Sequence, residues 1–111
     1  MIVDLTPSNR AVYAGCEVNR ISEDRYHLKT PLDSAVAIVE ANLKEMFSAM
    51  PAAERDELVL TGPAPLDIYL KAQSTAWPFF HSIIKVNGKT RVVLKEPTPN
   101  PDYDFSGREA E

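Results

Sequence analysis

A single cysteine, Cys16, is the whole thiol content of this 111-residue chain, so no disulfide can close within it. Cys16 stands between Gly15 and Glu17 with no histidine nearby in sequence to activate it, which reads as a reduced, cytoplasmic protein. No apolar run approaches the length a bilayer demands, and the opening Met1-Ile2-Val3-Asp4-Leu5 has neither a basic n-region nor a long apolar h-region. These features predict no membrane span and no signal peptide. A surplus of positive charge is missing too: the net charge is −4, which argues against duplex nucleic acid as a partner. No Cys/His cluster has the spacing of a zinc site, no Gly-x-Ser-x-Gly elbow occurs, and no internal repeat is found.

What is present is an ordinary globular composition, 44% hydrophobic and 25% charged. That composition supports one domain, expected over residues 1–96, followed by a proline-rich acidic tail over 97–111. A domain of this size buries a limited share of its surface, so a second copy would help to stabilise it. The charge is uneven. Lys85, Lys89, Arg91 and Lys95 fall between Trp77 and Lys95 with no acid among them, so a small anion would be drawn to that stretch.

Alternating apolar residues predict strands over Met1–Leu5, Ala11–Val18 and Arg25–Lys29. Thr30-Pro31-Leu32-Asp33 predicts a capping box opening a helix whose stripe runs Leu32, Val36, Val39, Leu43, Met46, Phe47, Met50. Glu40 and Lys44 are spaced for an i,i+4 pair on its outer side, and Pro51 ends it. Leu58-Val59-Leu60 reads as an inner strand covered on both faces, and Pro65–Ala76 as a second helix. Phe79–Val86 and Lys89–Lys95 read as strands joined by Asn87-Gly88 in a type I′ turn. The expected architecture is α+β: a single mixed sheet with two helices on one face, ferredoxin-like, closing in a β-hairpin. Its other face must be solvated or covered by a partner chain.

Thr61-Gly62-Pro63-Ala64-Pro65 joins the inner strand to the second helix. A strand-turn-helix corner offers backbone N–H groups and a helix dipole to an anion, but Pro63 and Pro65 each remove a donor. No Gly-Lys-Ser/Thr follows, so this is not a P-loop, and on the motif alone the turn reads as a structural corner.

"LTGPAPLDIYL" followed by "WPFFHSIIKVNGKTRVVL" resembles the small CRISPR-associated ring-nuclease family of type III systems, which are compact ferredoxin-like proteins. The features carrying the resemblance fall on Gly62, Pro65, Pro78-Phe79 and the Asn87-Gly88 hairpin. They span Leu58 to Leu94 and extend loosely to the N-terminal strands, while the long first helix is a departure. The resemblance implies a homodimer or higher assembly holding a cyclic oligoadenylate across subunits, with manganese as a possible cofactor. It also implies a histidine near the end of the second helix and an aspartate in the following strand and turn. Here those places read Gln73-Ser74-Thr75-Ala76 and Ile84-Lys85-Val86-Asn87, which leaves sequestration of the ring better supported than its hydrolysis.

On this basis the candidate catalytic residues are Ser74, Thr75 and His81. The candidate ligand-binding residues are Thr61, Gly62, Pro65, Tyr69, Gln73 and Arg91. Each has a plainer reading. His81 would share an apolar strand face with Phe79, Ile83, Val92 and Leu94, where a histidine is more often structural. His27 reads as a surface residue, and Asp67 as a helix-dipole acid. Tyr69 and Trp77 could stack an adenine or simply pack a core. The rival function is a non-enzymatic interaction module, a phage or accessory adaptor, docking through the open sheet face and the acidic tail.

Overall fold

The structure, a computed structural model, describes residues 1–23 and 25–96; the expected tail over 97–111 lies outside the described residues. Its main sheet has four strands in the order β1 (Ile2–Asp4), β4 (Glu57–Thr61), β5 (Ser82–Asn87) and β6 (Thr90–Lys95). β1 and β5 both run parallel to the central β4, and β6 returns antiparallel to β5. Helices α1 (Leu32–Ala49) and α2 (Leu66–Ala76) make the two crossovers and pack against each other on one face. β2 (Val18–Ser22) and β3 (Arg25–Leu28) form a separate hairpin. The chain is therefore α+β with one mixed four-stranded sheet and two helices. Among the described residues, no helix is long and apolar enough to cross a membrane.

The core follows from periodicity. α1 buries Ala35, Val39, Leu43 and Phe47, one residue per turn, against Val3, Leu58, Leu60 and Ile83 of the sheet. α2 adds Ile68, Tyr69, Ala72 and Ala76. Residues paired across neighbouring strands share a face, so Ile2, Val59, Ile84 and Val93 form one apolar row across all four strands. That row lies on the face away from the helices. Ile84 is buried at its centre, whereas Ile2 is 72% exposed and Val93 51%. β4 is thus the inner strand expected, with Leu58 and Leu60 fully covered, but its second face leaves Val59 only half-buried.

Several local expectations are corrected. Ala11–Val18 is not a strand; the segment runs as turns, with Val12 and Tyr13 buried. The Asn42 side chain on α1 donates to Val12 O (2.7 Å) and Ala14 O (2.9 Å), taking carbonyls that a ladder would need. The capping box does not form either. Pro31 occupies the cap of α1, and Thr30 Oγ1 accepts from Glu17 N at 2.7 Å. Glu40 pairs across the helices with Lys71 (3.9 Å) instead of along α1 with Lys44. In the closing hairpin Asn87 pairs with Thr90, so the two loop residues are Gly88 and Lys89. Gly88 alone has positive φ, +57°, which suits a turn with glycine first rather than the type I′ form.

Candidate functional site

β1 and β4 end side by side, with Asp4 beside Thr61, and Val86 of β5 completes the rung. Carboxyl ends of parallel strands are where open α/β sheets receive ligands, because side chains and loop amides diverge there to leave a crevice. Asp4 Oδ1 accepts from Thr6 N (2.8 Å) and from Thr6 Oγ1 (2.5 Å), folding the chain into a turn directly after β1. Asn9 Nδ2 donates to Asp4 O at 2.8 Å and closes the same loop.

Gly62 sits against this turn at φ +93°, and a Cβ there would collide with Asp4 Oδ1 and Thr6 Oγ1. Only glycine satisfies both the backbone angle and the close approach. The Tyr69 hydroxyl, from the first turn of α2, donates to Gly62 O, and the Tyr13 hydroxyl donates to Leu5 O at 2.5 Å. Burial pushes both phenols above their ordinary acidity range. The Asp4 carboxylate raises Tyr69 further, and Cys16, Tyr69 and Asp4 do the same for Tyr13. Both tyrosines therefore remain protonated donors near neutral pH. Lys85 Nζ rests 4.4 Å from the centroid of the Tyr69 ring.

Next to this knot lies a cleft of about 520 Å³. Pro63, Ala64 and Pro65 form one wall, Thr6 and Pro7 an end, and Arg25 to Leu28 of β3 the opposite wall. The expected corner is thus also the side of a cavity. Pro7 and Tyr26 line both this cleft and a second one of about 570 Å³, which Arg10, Arg20, Tyr13 and Cys16 also border. Arg20 Nε donates to Ser22 O at 3.3 Å. The ion pairs among the described residues are Lys29–Glu17 (3.7 Å) and Lys71–Glu40 (3.9 Å). Arg10, Arg20 and Arg25 therefore border the two clefts with no carboxylate of the described residues within 4.0 Å. Burial raises the Cys16 thiol, although Thr30 pulls it slightly the other way, so it is not an activated nucleophile.

The anticipated site residues divide into two groups. Thr61, Gly62, Pro65 and Tyr69 converge on the knot and the first cleft. Arg91 pairs with Val86, on the same rung as Thr61, so it stands at that end of the sheet on the open face. Gln73, Ser74 and Thr75 lie near the far end of α2, a helix of 11 residues or about 16 Å. The Ser74 hydroxyl donates to Lys71 O (3.1 Å), and the Thr75 side chain points into the core with Oγ1 unpartnered.

His81 precedes β5 instead of lying within it, and its side chain is exposed rather than on the apolar face with Ile83. Its backbone N donates to Arg55 O at 3.2 Å. A single chain therefore does not bring Ser74, Thr75 and His81 to the knot.

Asp4, Thr6, Tyr13, Arg25 and Tyr26 were not singled out by sequence. One signal was available for part of this group: an aspartate ending a strand with a threonine two residues on is an Asx-turn pattern. Among the described residues, no group of three or more His, Cys, Asp or Glu side chains is placed to hold a metal ion. The described residues thus offer manganese no donor set of their own. Comparison of the chain with protein-family models, with curated proteins and with solved structures finds no match in any of the three.

Proposed function

We propose that this protein binds a cyclic oligoadenylate at the carboxyl end of its sheet and holds it out of circulation, damping type III CRISPR signalling. The observation that carries the reading is the cleft itself: the turn bearing the family resemblance forms its wall, opposite Arg25, Tyr26 and His27. Tyr26 offers a face for an adenine, and Arg25, with Arg10 and Arg20 beyond Tyr26, offers phosphate partners. A cleft of about 520 Å³ lies within the usual 300–1,000 Å³ of small-ligand pockets, with room for part of a ring rather than all of it. A whole ring would need two subunits, which agrees with the homodimer the resemblance implies.

Sequestration is favoured over rapid cleavage because Ser74, Thr75 and His81 lie at the other end of the domain. Slow cleavage would require only a ribose 2′-hydroxyl held in line with its phosphate. A ferredoxin-like fold and a cytoplasmic location belong to the same reading. A mixed sheet under two helices is compatible with that fold, and the two parallel pairs in chain order are what it must accommodate.

The test is incubation of purified protein with cyclic tri-, tetra- and hexa-adenylate, with and without manganese. Binding is read by native gel shift and products by chromatography. Retention of a ring without products, lost in Arg25→Ala and Tyr26→Ala, is the expected result. Linear products would make the protein a ring nuclease, and no binding of any ring would overturn the reading. The uncovered row Ile2, Val59, Ile84 and Val93 favours a second reading, an interaction module for a protein partner. Capture of such a partner, lost on deletion of residues 97–111, would support it.

A further inference from the structure

We infer that the open face of the four-stranded sheet is the interface of a twofold dimer of this chain, with the twofold axis parallel to the strands. This deepens the homodimer of the nucleotide reading by naming its interface and axis, and it is argued from the sheet face alone. The face is a two-layer fold missing its third layer: the helices cover one side of the sheet, while the other carries Ile2, Val59, Ile84 and Val93 in one row. Ile84 is 3% exposed yet lies apart from the helix-side core, so the row is already a small apolar cluster of its own. Its flanks, Ile2 and Val93, remain open to water.

Charge selects both the occupant and the axis. The next rung of the same face reads Asp4, Thr61, Val86, Arg91, with an acid on edge strand β1 and a cation on edge strand β6. An axis parallel to the strands lays β1 of one copy over β6 of the other and keeps each rung opposite itself. Asp4 then faces the partner's Arg91 on both sides of the axis, and Ile2 faces the partner's Val93. An axis across the strands would instead set β6, with Arg91 on this face, over its own copy, and β1, with Asp4, over its own copy. The sequence thus carries a complementary pair for one arrangement and only like charges on facing strands for the other.

Four strands about 4.8 Å apart, three of them five or six residues long and β1 only three, at about 3.3 Å per residue give a face of at most roughly 19 by 17 Å. That is small for a specific interface, so the dimer should be concentration-dependent. The axis also leaves the carboxyl ends of both sheets, and both clefts, at the same end of the assembly.

Sedimentation across a wide concentration range should show a monomer–dimer equilibrium. Val93→Glu and Ile2→Glu, each on a solvent-facing side chain, should raise the dissociation constant by about tenfold or more, equivalent to about 1.4 kcal/mol. Their thermal unfolding measured at low concentration should stay close to that of the parent. In a Cys16→Ser background, an oxidised mixture of Ile2→Cys and Val93→Cys proteins should yield disulfide-linked dimers that neither protein forms alone. A chain that stays monomeric at every concentration overturns the inference, and so does cross-linking of Ile2→Cys to itself. Ring binding by the Val93→Glu protein separates the outcomes: fragment-like weak binding leaves the cleft reading standing even if the interface fails.

Discussion

At the carboxyl end of the sheet, Asp4, Thr6, Tyr13 and Tyr69 brace the β1–β2 and β4–α2 loops through carboxylate and hydroxyl hydrogen bonds. At the amino end, Phe47 meets Phe80 edge-on with centroids 5.0 Å apart and Phe79 at 5.9 Å. There the charged groups serve as lids: Arg55 lies 5.4 Å from the Phe79 ring and donates to Met50 O at 2.6 Å. Lys95 donates to Trp77 O (2.6 Å) and Phe80 O (2.8 Å) while covering the Trp77 ring. Both cations at the amino end, Arg55 and Lys95, are thus spent on closing the core. At the carboxyl end the hydroxyls are likewise spent on the knot. Arg10, Arg20 and Arg25, however, border open clefts with no carboxylate of the described residues within 4.0 Å, and that asymmetry points to this end as the candidate site.

The largest expected effect breaks the amino end. Phe47→Ala removes a fully buried ring that touches two others and should cost about 3–5 kcal/mol in a denaturant titration. Ligand binding would fall only with the folded fraction. Gly62→Ala does the reverse. Its Cβ displaces Asp4 and Thr6, and its backbone must hold φ +93°, so the cost should be about 1–3 kcal/mol. Ring binding should fall well beyond what that loss of stability explains, which titration with cyclic tetra-adenylate would show.

Alkaline pH sharpens the contrast, because both raised phenols lie at the carboxyl end. In the folded state Tyr13 and Tyr69 hold their protons above the unfolded value of 10.0. Their contribution is therefore fully present below about pH 10 and is lost as pH rises beyond it. Unfolding free energy should decline there by up to about 1.4 kcal/mol per pH unit for each phenol, with Tyr13→Phe flattening the slope. The smallest change is Lys95→Ala, about 1 kcal/mol in the same titration, since the lost contacts lie at a partly solvated rim.

The sequence made both helices, the inner strand and the closing hairpin legible, because their signals are local: an apolar residue every turn in α1 and a glycine turn between two β-rich runs. Ala11–Val18 misled because its competitor, Asn42, acts from another element 30 residues from Val12. Thr30 misled in the same way, since its hydroxyl had a better use at Glu17 N than at the helix it precedes. Thr61, Gly62, Pro65 and Tyr69 could be nominated from one contiguous stretch. Asp4 and Thr6 could not, because they reach that stretch only through the parallel pairing of β1 with β4. That pairing spans 56 residues between Met1 and Glu57, whose contact is the hydrogen bond from the Met1 ammonium to Glu57 O. Nothing periodic in the chain announces so distant a register.

The same three-residue strand sets an order of assembly. β4, α2, β5 and β6 are consecutive in sequence and can condense with short loops closed, whereas β1 must wait for α1 to carry the chain across. As an edge strand of three residues it also has the fewest ladder bonds to break. Amides of β5 should exchange with solvent only through global unfolding, whereas the two that bridge β1 and β4, Leu5 N to Thr61 O and Val59 N to Met1 O, should exchange through a cheaper local opening. Since β1 carries Asp4, each such opening would release Gly62 and dissolve the pocket while the aromatic end stays shut.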